Sequence, residues 1–256
     1  MATKSKTTVE ATLRIEPLKQ GRVSIKIIGL TPLYYNAMSA KAKRSLLLGG
    51  AKKTAAEKKE IKHDPEAEYL ESMYYMPRGT EAMLGIPATS FKNAMATAAL
   101  VTDGIRKTEV QRLIFMPHDR FQIWGRPYLK MDVVRSADMN KTPDIRTRGF
   151  LPNWCAEIDI AYISPSLNEH SVIALLANAG IMSGVGDFRQ EKGKGSYGTF
   201  AVVSDSDQEK AFKHLQKHEG RECQNVAITK PECMTDDEET RLLWAELRQE
   251  RMRRAS

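Results

Sequence analysis

The sequence has few of the residues and patterns that mark secreted or membrane proteins. Its only cysteines are Cys155, Cys223 and Cys233, an odd number without the spacing of a disulfide scaffold, as expected in a reducing cytoplasm. The longest apolar stretch, at 171–182, is far too short to span a membrane. The polar residues 1–16 lack the apolar centre of a secretory signal. We therefore expect a soluble cytoplasmic protein with no membrane partner.

Familiar nucleotide-binding and nucleophile motifs are also lacking, although the glycines spell one of them. Gly193, Gly195 and Gly198 form G-x-G-x-x-G, but the dinucleotide version follows a strand and opens a helix, whereas here a predicted helix precedes and a strand follows. The Walker motif needs four residues between its glycines, and six separate Gly186 from Gly193. Gly184-x-Gly186 has no serine, so it is not a nucleophile elbow.

Two histidines and two cysteines in the C-terminal part invite a zinc interpretation. The spacing from His214 and His218 to Cys223 and Cys233 lacks the close cysteine pair of structural zinc fingers. Histidines four residues apart are more simply one face of a helix. We therefore predict no metal and no other cofactor.

The charge of the chain is positive and unevenly distributed. The 256 residues include 39 Lys and Arg against 32 Asp and Glu, a net charge of +7. Residues 1–63 hold 14 basic against 4 acidic residues, whereas residues 205–256 hold 10 against 12. A basic body with a near-neutral tail suits a surface that binds a polyanion. The alternative is that the modest positive charge serves only solubility.

The stretch from Leu175 to Phe200 concentrates glycine, cations and aromatic rings. Five glycines lie between Gly184 and Gly198, a density typical of a shaped loop that a ligand approaches closely. The cations and rings of the stretch include Arg189, Lys192, Lys194, Phe188 and Tyr197. Together these features favour a phosphate-bearing polymer as ligand. The alternative is a glycine-rich hairpin with solvated charges.

Hydrophobic periodicity predicts an α+β fold built on an antiparallel sheet. Alternating or β-branched runs indicate strands, and apolar residues at helical spacing indicate helices. The predicted strands are 23–35, 110–117, 120–134, 154–163 and 199–203. The predicted helices are 36–51, 65–75, 91–101, 208–218, 236–254 and one that ends near 182 after a cap at Ser166 or Asn168. This order matches the β-α-β-β-α-β pattern of the ferredoxin-like (RRM-like) fold, with helices on one face of the sheet.

The predicted organisation has three parts. A flexible arm at 1–22 precedes a ferredoxin-like core at 23–204, and a helical extension follows at 205–256. The core carries an insertion at 50–80 with helical content. The connection at 135–150 is polar, rich in arginine and too long for a passive hairpin tip, so we interpret it as a functional loop.

Two blocks of the sequence resemble a known family. Gly85–Ala99 (GIPATSFKNAMATAA) resembles the I-P-x-S-S-hydrophobic-K-x-A helix start of the RAMP superfamily, the ferredoxin-like RNA-binding proteins of CRISPR effector complexes. Ala177–Val202 (ANAGIMSGVGDFRQEKGKGSYGTFAV) resembles the closing helix, glycine-rich loop and strand of the same superfamily. The branch that looks most similar is the backbone subunit that polymerises along guide RNA. The chain departs from that branch after the first strand, where LTPLYYNAMSAKAKR replaces a glycine-rich turn.

The resemblance implies a subunit that grips single-stranded guide RNA without regard to its sequence and assembles with copies of itself in a helical filament. Further implied partners are a complementary target strand and other subunits of an antiviral effector complex. The connection at 135–150 would be a thumb-like loop. The residues predicted to bind nucleic acid, from the resemblance and from the charge pattern, are Asn36, Lys41, Lys43, Arg44, Ser90, Lys92, Asn93, Arg146, Arg148, Arg189, Lys192, Gly193, Lys194, Gly195 and Tyr197.

Two other functions are compatible with the sequence. In one branch of the family an aspartate on a loop near the first helix cleaves RNA, and Asp64, beside His63, is the carboxylate of this chain that could take that role. An exposed His-Asp pair in a lysine-rich loop can equally be simply solvated. The same fold could instead bind single-stranded DNA, because the sequence says nothing about a contact to the ribose 2′-OH. We expect a non-enzymatic protein, with endoribonuclease as the alternative activity.

Overall fold

A computed structural model describes residues 17–48, 63–135, 143–192 and 195–255. The strands, numbered in chain order, are β1 (Lys19–Gly29), β2 (Leu33–Tyr34), β3 (Tyr74–Tyr75), β4 (Leu84–Pro87), β5 (Ile114–Phe115), β6 (Arg120–Trp124), β7 (Tyr128–Arg135), β8 (Pro143–Leu151), β9 (Cys155–Ser164) and β10 (Phe200–Val202). The helices are α1 (Ala40–Leu48), α2 (Pro65–Ser72), α3 (Ala88–Ala98), α4 (Lys107–Leu113), α5 (Glu169–Met182), α6 (Ser206–His218), α7 (Arg221–Thr229) and α8 (Glu238–Ala255). Parts of three predicted segments lie outside the described residues: the arm at 1–16, the insertion at 50–62 and the thumb-like loop at 136–142.

The main sheet confirms the predicted α+β class. Its described part has seven strands, antiparallel throughout, in the order β10-β1-β9-β6-β4-β3, with β5 paired to β9 outside this path. Strands β1, β6, β9 and β10 alternate with α3 and α5 along the chain as β-α-β-β-α-β. In space they lie in the order β10-β1-β9-β6, which is the strand order of the predicted ferredoxin-like arrangement.

One face of this sheet forms the core. Side chains alternate along each strand, so Ile25 and Ile27 of β1 and Ile158 of β9 point to the same side and are buried there. Helices α3 and α5 pack on that side and against each other. The ring of Phe91 on α3 lies 5.8 Å from that of Phe200 on β10, which ties the first helix of the pattern to its last strand.

The opposite face, here called the outer face, is partly covered and otherwise polar. Phe212 of α6 packs on Trp124 and Cys155 at one end, and this small cluster is separate from the main core. The remaining outer positions on the two central strands, β1 and β9, are mostly charged or polar. Neither of these fully described strands carries an aromatic residue on this face, so the outer face lacks the stacking platform of RRM domains.

A second sheet corrects the prediction for residues 135–150. Most of that connection is strand β8, which pairs with β7 from Tyr128↔Phe150 to Arg135↔Pro143 and with β2 on its other side. The polar residues of β8 suggested a loop. The segment is a strand because it packs against α2 and forms backbone hydrogen bonds with both neighbouring strands. Only residues 136–142 of the predicted loop lie outside the described chain.

Two other boundaries differ from prediction. β1 begins at Lys19, so the end of the predicted arm at 19–22 is strand. The strand predicted at 110–117 is instead α4 followed by the two residues of β5. The carboxylate of Glu109 accepts a hydrogen bond of 2.8 Å from the backbone N–H of Arg106, and this local cap starts a helix that the apolar run did not indicate.

The C-terminal part is helical, as predicted, and is joined closely to the rest of the chain. Helix α7 was not predicted, and its Gln224 is buried at one end of the β4–β6 pair. The side-chain oxygen of Gln224 accepts from the backbone N–H groups of Met83 and Leu84, and its amide nitrogen donates to the carbonyls of Ile123 and Gly125. In the described part of the chain, no helix is both long and apolar enough to cross a membrane.

Candidate nucleic-acid interface

The glycine-rich loop, defined as residues 183–199, is fixed by hydrogen bonds to the segment around β2. The N–H of Asp187 donates to the carbonyl of Tyr34 at 3.0 Å, and the N–H of Gly198 donates to the carbonyl of Pro32 at 2.8 Å. Gly186 and Gly198 have φ angles of 84° and 71°, which favour glycine. The described parts of the loop, 183–192 and 195–199, therefore pack against the segment around β2.

The glycines are explained largely by this internal packing. A Cβ at Gly195 would collide with the carbonyl oxygen of Phe188, so the backbone that Gly195 approaches is the protein's own. From the sequence, Gly193 and Gly195 were predicted to be part of a glycine-rich contact with nucleic acid. Gly193 and Lys194 lie outside the described residues, as does the side chain of Lys192.

A concavity of about 170 Å³, here called the loop cavity, lies between the glycine-rich loop and the start of α3. It brings together three predicted residues from three separate segments: Asn36 after β2, Ser90 on α3 and Arg189 on the loop. The other lining residues are Tyr34, Tyr35, Tyr74, Ile86, Gly186 and Asp187. The tyrosines were missed, although the adjacent pairs in LYY and MYY were a visible signal.

The lining of the loop cavity carries both signs of charge, since Arg189 is basic and Asp187 is acidic. Arg189 Nε lies 2.9 Å from Glu191 Oε2, but its N–H is not directed into a hydrogen bond. Pro87 supplies no side-chain cap to α3, and the N–H of Ala88 in its first turn donates instead to the carbonyl of Asp119 at 2.9 Å. Burial raises the pKa of the Tyr34 and Tyr35 hydroxyls well above the usual value, so both remain protonated at neutral pH.

A second concavity of about 460 Å³, here called the helix cavity, lies between α1 and β8. Asn36 lines both cavities, so they adjoin at this residue. Arg146 lines the helix cavity, and the exposed Lys43 and Arg44 follow Ala42 of its wall on α1. The remaining lining residues are Ala37, Met38, Ser39, His63, Glu68, Ser72, Asp144, Ile145, Thr147 and Arg148. The side chain of Lys41 lies outside the described residues.

Asp64 and His63 do not act as a pair. Asp64 is the N-cap of α2, accepts from the N–H of Ala67 and lies 3.0 Å from the guanidinium of Arg251. Burial alone would raise the pKa of the Asp64 carboxyl, but the hydrogen bonds from Arg251 and Ala67 hold it below its usual value. His63 points elsewhere and contacts other carboxylates, as described next. The neighbouring His-Asp arrangement expected from the sequence is therefore not formed.

His63 bridges α2 to β8. Its Nδ1 lies 2.9 Å from Glu68 Oε1 and its Nε2 lies 3.1 Å from Asp144 Oδ1. Both ring nitrogens are thus engaged, and neither is directed at open space in the helix cavity. This arrangement suits a structural tie between the two elements.

Arg148 is not a surface contact, contrary to the expectation for an arginine of the thumb-like segment. Its side chain is 3% exposed, and its guanidinium contacts Asp187 of the glycine-rich loop at 2.5 Å and Asp132 of β7 at 3.3 Å. The same group lies over the rings of Phe188 and Tyr34, with centroid distances of 4.3 and 5.1 Å. A guanidinium held by two carboxylates and two rings is not available to a phosphate.

Three further predicted residues lie outside both cavities. Lys92 projects from another side of α3 than Ser90, and its Nζ lies 5.6 Å from the ring centroid of Phe115. Asn93 is exposed one turn after Ser90. Tyr197 is half-buried, with its ring 4.8 Å from that of Tyr34. Tyr197 thus packs under the loop cavity wall.

The described residues hold no cluster of three or more His, Cys, Asp or Glu side chains that could bind a metal ion. His214 and His218 lie on one face of α6 with ring centroids 4.7 Å apart. Both cavities are lined by amide, guanidinium, hydroxyl and carboxylate groups, and the loop cavity adds tyrosine rings.

Comparison with protein-family models finds no matching family, and comparison with curated proteins finds no match either. Among solved structures, this chain is similar to Cmr6 from Pyrococcus furiosus, with 8% sequence identity, a TM-score of 0.38, and coverage of 72% of this chain and 98% of that chain. It is also similar to a chain of the type III-B Cmr-beta complex bound to cognate target RNA, with 13% identity, a TM-score of 0.37, and coverage of 73% of this chain and 60% of that chain.

Proposed function

We propose that this protein binds single-stranded RNA without regard to base sequence, as a repeating backbone subunit of a CRISPR-type ribonucleoprotein. The observation that carries the proposal is the meeting of Asn36, Ser90 and Arg189 around the loop cavity. These residues are far apart in the chain, and two of them fall in the sequence blocks that resemble the RAMP superfamily. Their convergence is what a binding surface requires and what three unrelated solvated residues would not show.

The proposed path of the strand runs from the loop cavity, past Asn36, to the helix cavity. Arg189 stands at one end of this path, and Lys43, Arg44 and Arg146 stand at the other. Cations at both ends suit successive phosphates, which carry no base information. The outer face of the sheet has no aromatic residue on its central strands, so base stacking of the RRM kind is not part of the proposal.

Binding of a structureless oligo-U strand tests the proposal. If four cations neutralise phosphates, the logarithm of the association constant is expected to fall with the logarithm of salt concentration with a slope of about −3. Fluorescence anisotropy over a salt series measures this slope, and a DNA strand of matched length competes in parallel. No binding, or binding that ignores salt, would contradict the proposal. If DNA competes as well as RNA, the protein binds single-stranded nucleic acid in general. If the RNA is degraded during the measurement, the nuclease alternative is favoured.

The proposal includes self-association along the strand. Leu46 and Leu47 on α1 are 73% and 84% exposed, and Leu100 and Ile181 at the ends of α3 and α5 are 67% and 61% exposed. Exposed apolar side chains on three separate helical segments suit contacts between copies of the subunit, and head-to-tail contacts would extend into an open array. The other proposed partners are a complementary target strand and further effector subunits.

The mass of the particle is expected to grow with RNA length. Mass photometry with strands of about 20 and about 60 nucleotides is expected to show one and several subunits bound, given a site of several nucleotides per subunit. In the double variant Leu46→Glu and Leu47→Glu, subunits should bind the longer strand independently of one another and with lower affinity. Leu242→Glu, an exposed leucine on α8, serves as the matched control. A mass that stays at one subunit on the longer strand would refute self-association.

A further inference from the structure

We infer that Arg148 is a positioning residue that holds the glycine-rich loop in its binding conformation through Asp187. The inference rests on the proposed function and deepens it, because it separates the groups that touch the strand from the group that places them. Arg148 belongs to β8, Asp187 belongs to the glycine-rich loop, and the 2.5 Å contact between them joins the two elements.

The contact is built to fix orientation. Nη1 of Arg148 bonds Asp187 while Nη2 contacts Asp132, so the planar guanidinium is held from two directions. Asp132 in turn accepts from the hydroxyl of Tyr34 at 3.4 Å. A fork of fixed N–H directions suits this task, whereas a lysine ammonium supplies a point charge without a plane.

The ring of Phe188 completes the arrangement. Phe188 follows Asp187, has a φ of 49° and lies with its ring 4.3 Å from the Arg148 guanidinium carbon. A non-glycine residue in this backbone region persists only where its surroundings hold it. Arg148 holds the Asp187 side chain and the Phe188 ring together, immediately before Arg189.

The consequence for binding lies in Arg189. Asp187 and Arg189 both line the loop cavity, two residues apart on the same loop. Arg189 also forms an isolated bridge with Tyr197, so the loop closes on itself around this point. If Asp187 is released from Arg148, Arg189 loses its fixed place relative to Asn36 and Ser90. Binding of RNA must then order the loop, and this loss of conformational entropy weakens the affinity.

The test is Asp187→Ala, because a positioning role and a charge effect of Asp187 predict opposite changes in the affinity for RNA. Removing a carboxylate next to a phosphate-binding loop would strengthen RNA binding by charge alone. Loss of positioning is expected instead to weaken binding of oligo-U by about tenfold, and Arg148→Lys, which keeps the charge, is expected to do the same. Asp103→Ala, which removes an exposed carboxylate after α3, is the matched control and should leave affinity unchanged or slightly higher.

Two readouts distinguish positioning from a general loss of fold. If positioning is lost, titration should show that all of the variant protein can bind oligo-U, but with a larger dissociation constant. Partial unfolding would instead lower the fraction of protein that can bind and leave the dissociation constant unchanged. Hydrogen exchange of residues 184–191 without RNA should be faster in both variants. Affinity equal to or tighter than wild type in Asp187→Ala, a lowered active fraction alone, or unchanged exchange would each overturn the inference. If the wild-type protein itself does not bind RNA, the proposed function fails, and the exchange result still decides whether Arg148 holds the loop.

Discussion

Replacing Lys43, Arg44 and Arg189 together by glutamine is expected to weaken binding of structureless RNA by about 50-fold at roughly 0.15 M salt, from a loss of about 0.7 in salt slope for each phosphate contact. The three cations come from the two ends of the proposed path. Lys43 and Arg44 are exposed on α1, and Arg189 lines the loop cavity. Because none of them belongs to the buried core, the folded fraction should stay at the wild-type level.

The salt series gives the decisive part of this experiment. The slope of the triple variant should be shallower than that of wild type by about 2, since three phosphate contacts are removed. The matched control neutralises Lys210, Lys213 and Lys217 on α6, which changes the net charge equally but lies on the outer face. If this control weakens binding as much as the triple variant does, RNA is responding to net charge alone and the proposed path is wrong.

Gln224→Leu is expected to lower the free energy of unfolding by about 3 kcal/mol or more, because each buried backbone group left unpaired costs about 1–3 kcal/mol. Gln224 is fully buried and is the hydrogen-bond partner of Met83, Leu84, Ile123 and Gly125. Leucine matches the size of glutamine but can satisfy none of these groups. The melting temperature should fall by about 10 °C for a chain of this length.

Asn225→Ala is the control for this prediction. Asn225 is exposed on the same helix, so its replacement should change the free energy of unfolding by less than about 0.5 kcal/mol. Chemical denaturation of both variants measures the difference. A Gln224→Leu protein as stable as wild type would mean that the hydrogen bonds of Gln224 to the ends of β4 and β6 do not stabilise the fold. RNA binding measured well below the melting temperature should be retained, because Gln224 lies away from both cavities.

The sequence predicted those elements whose signals are local. The alternation in β9 and the cap at Asn168 of α5 appear where expected. The error at α4 is an exception, because its cap, in which Glu109 accepts from the N–H of Arg106, is a local signal beside the apolar run at 110–117. The error at β8 has a non-local cause, because β8 is a strand between β7 and β2.

The binding residues divide in the same way. Asp64, followed by Pro65 and Glu66, has the composition of a helix start, and this local signal favours the cap over a catalytic role. Arg146 and Arg148 are two residues apart on β8 and therefore face the same side of the strand, so strand periodicity cannot predict that one is exposed and the other buried. The glycine-rich loop, β7 and β2 together cover Arg148, whereas Arg146 is exposed, and this tertiary packing separates their roles.

The position of Gln224 in the chain has a consequence for how the protein is made. The ribosome releases residues in order, so β4 and β6 emerge long before the side chain that satisfies their backbone groups. β10 and α6, which cover one edge and one end of the sheet, also emerge late. The nascent chain must therefore carry an incomplete sheet through most of its synthesis, a state in which open strand edges invite association with other chains.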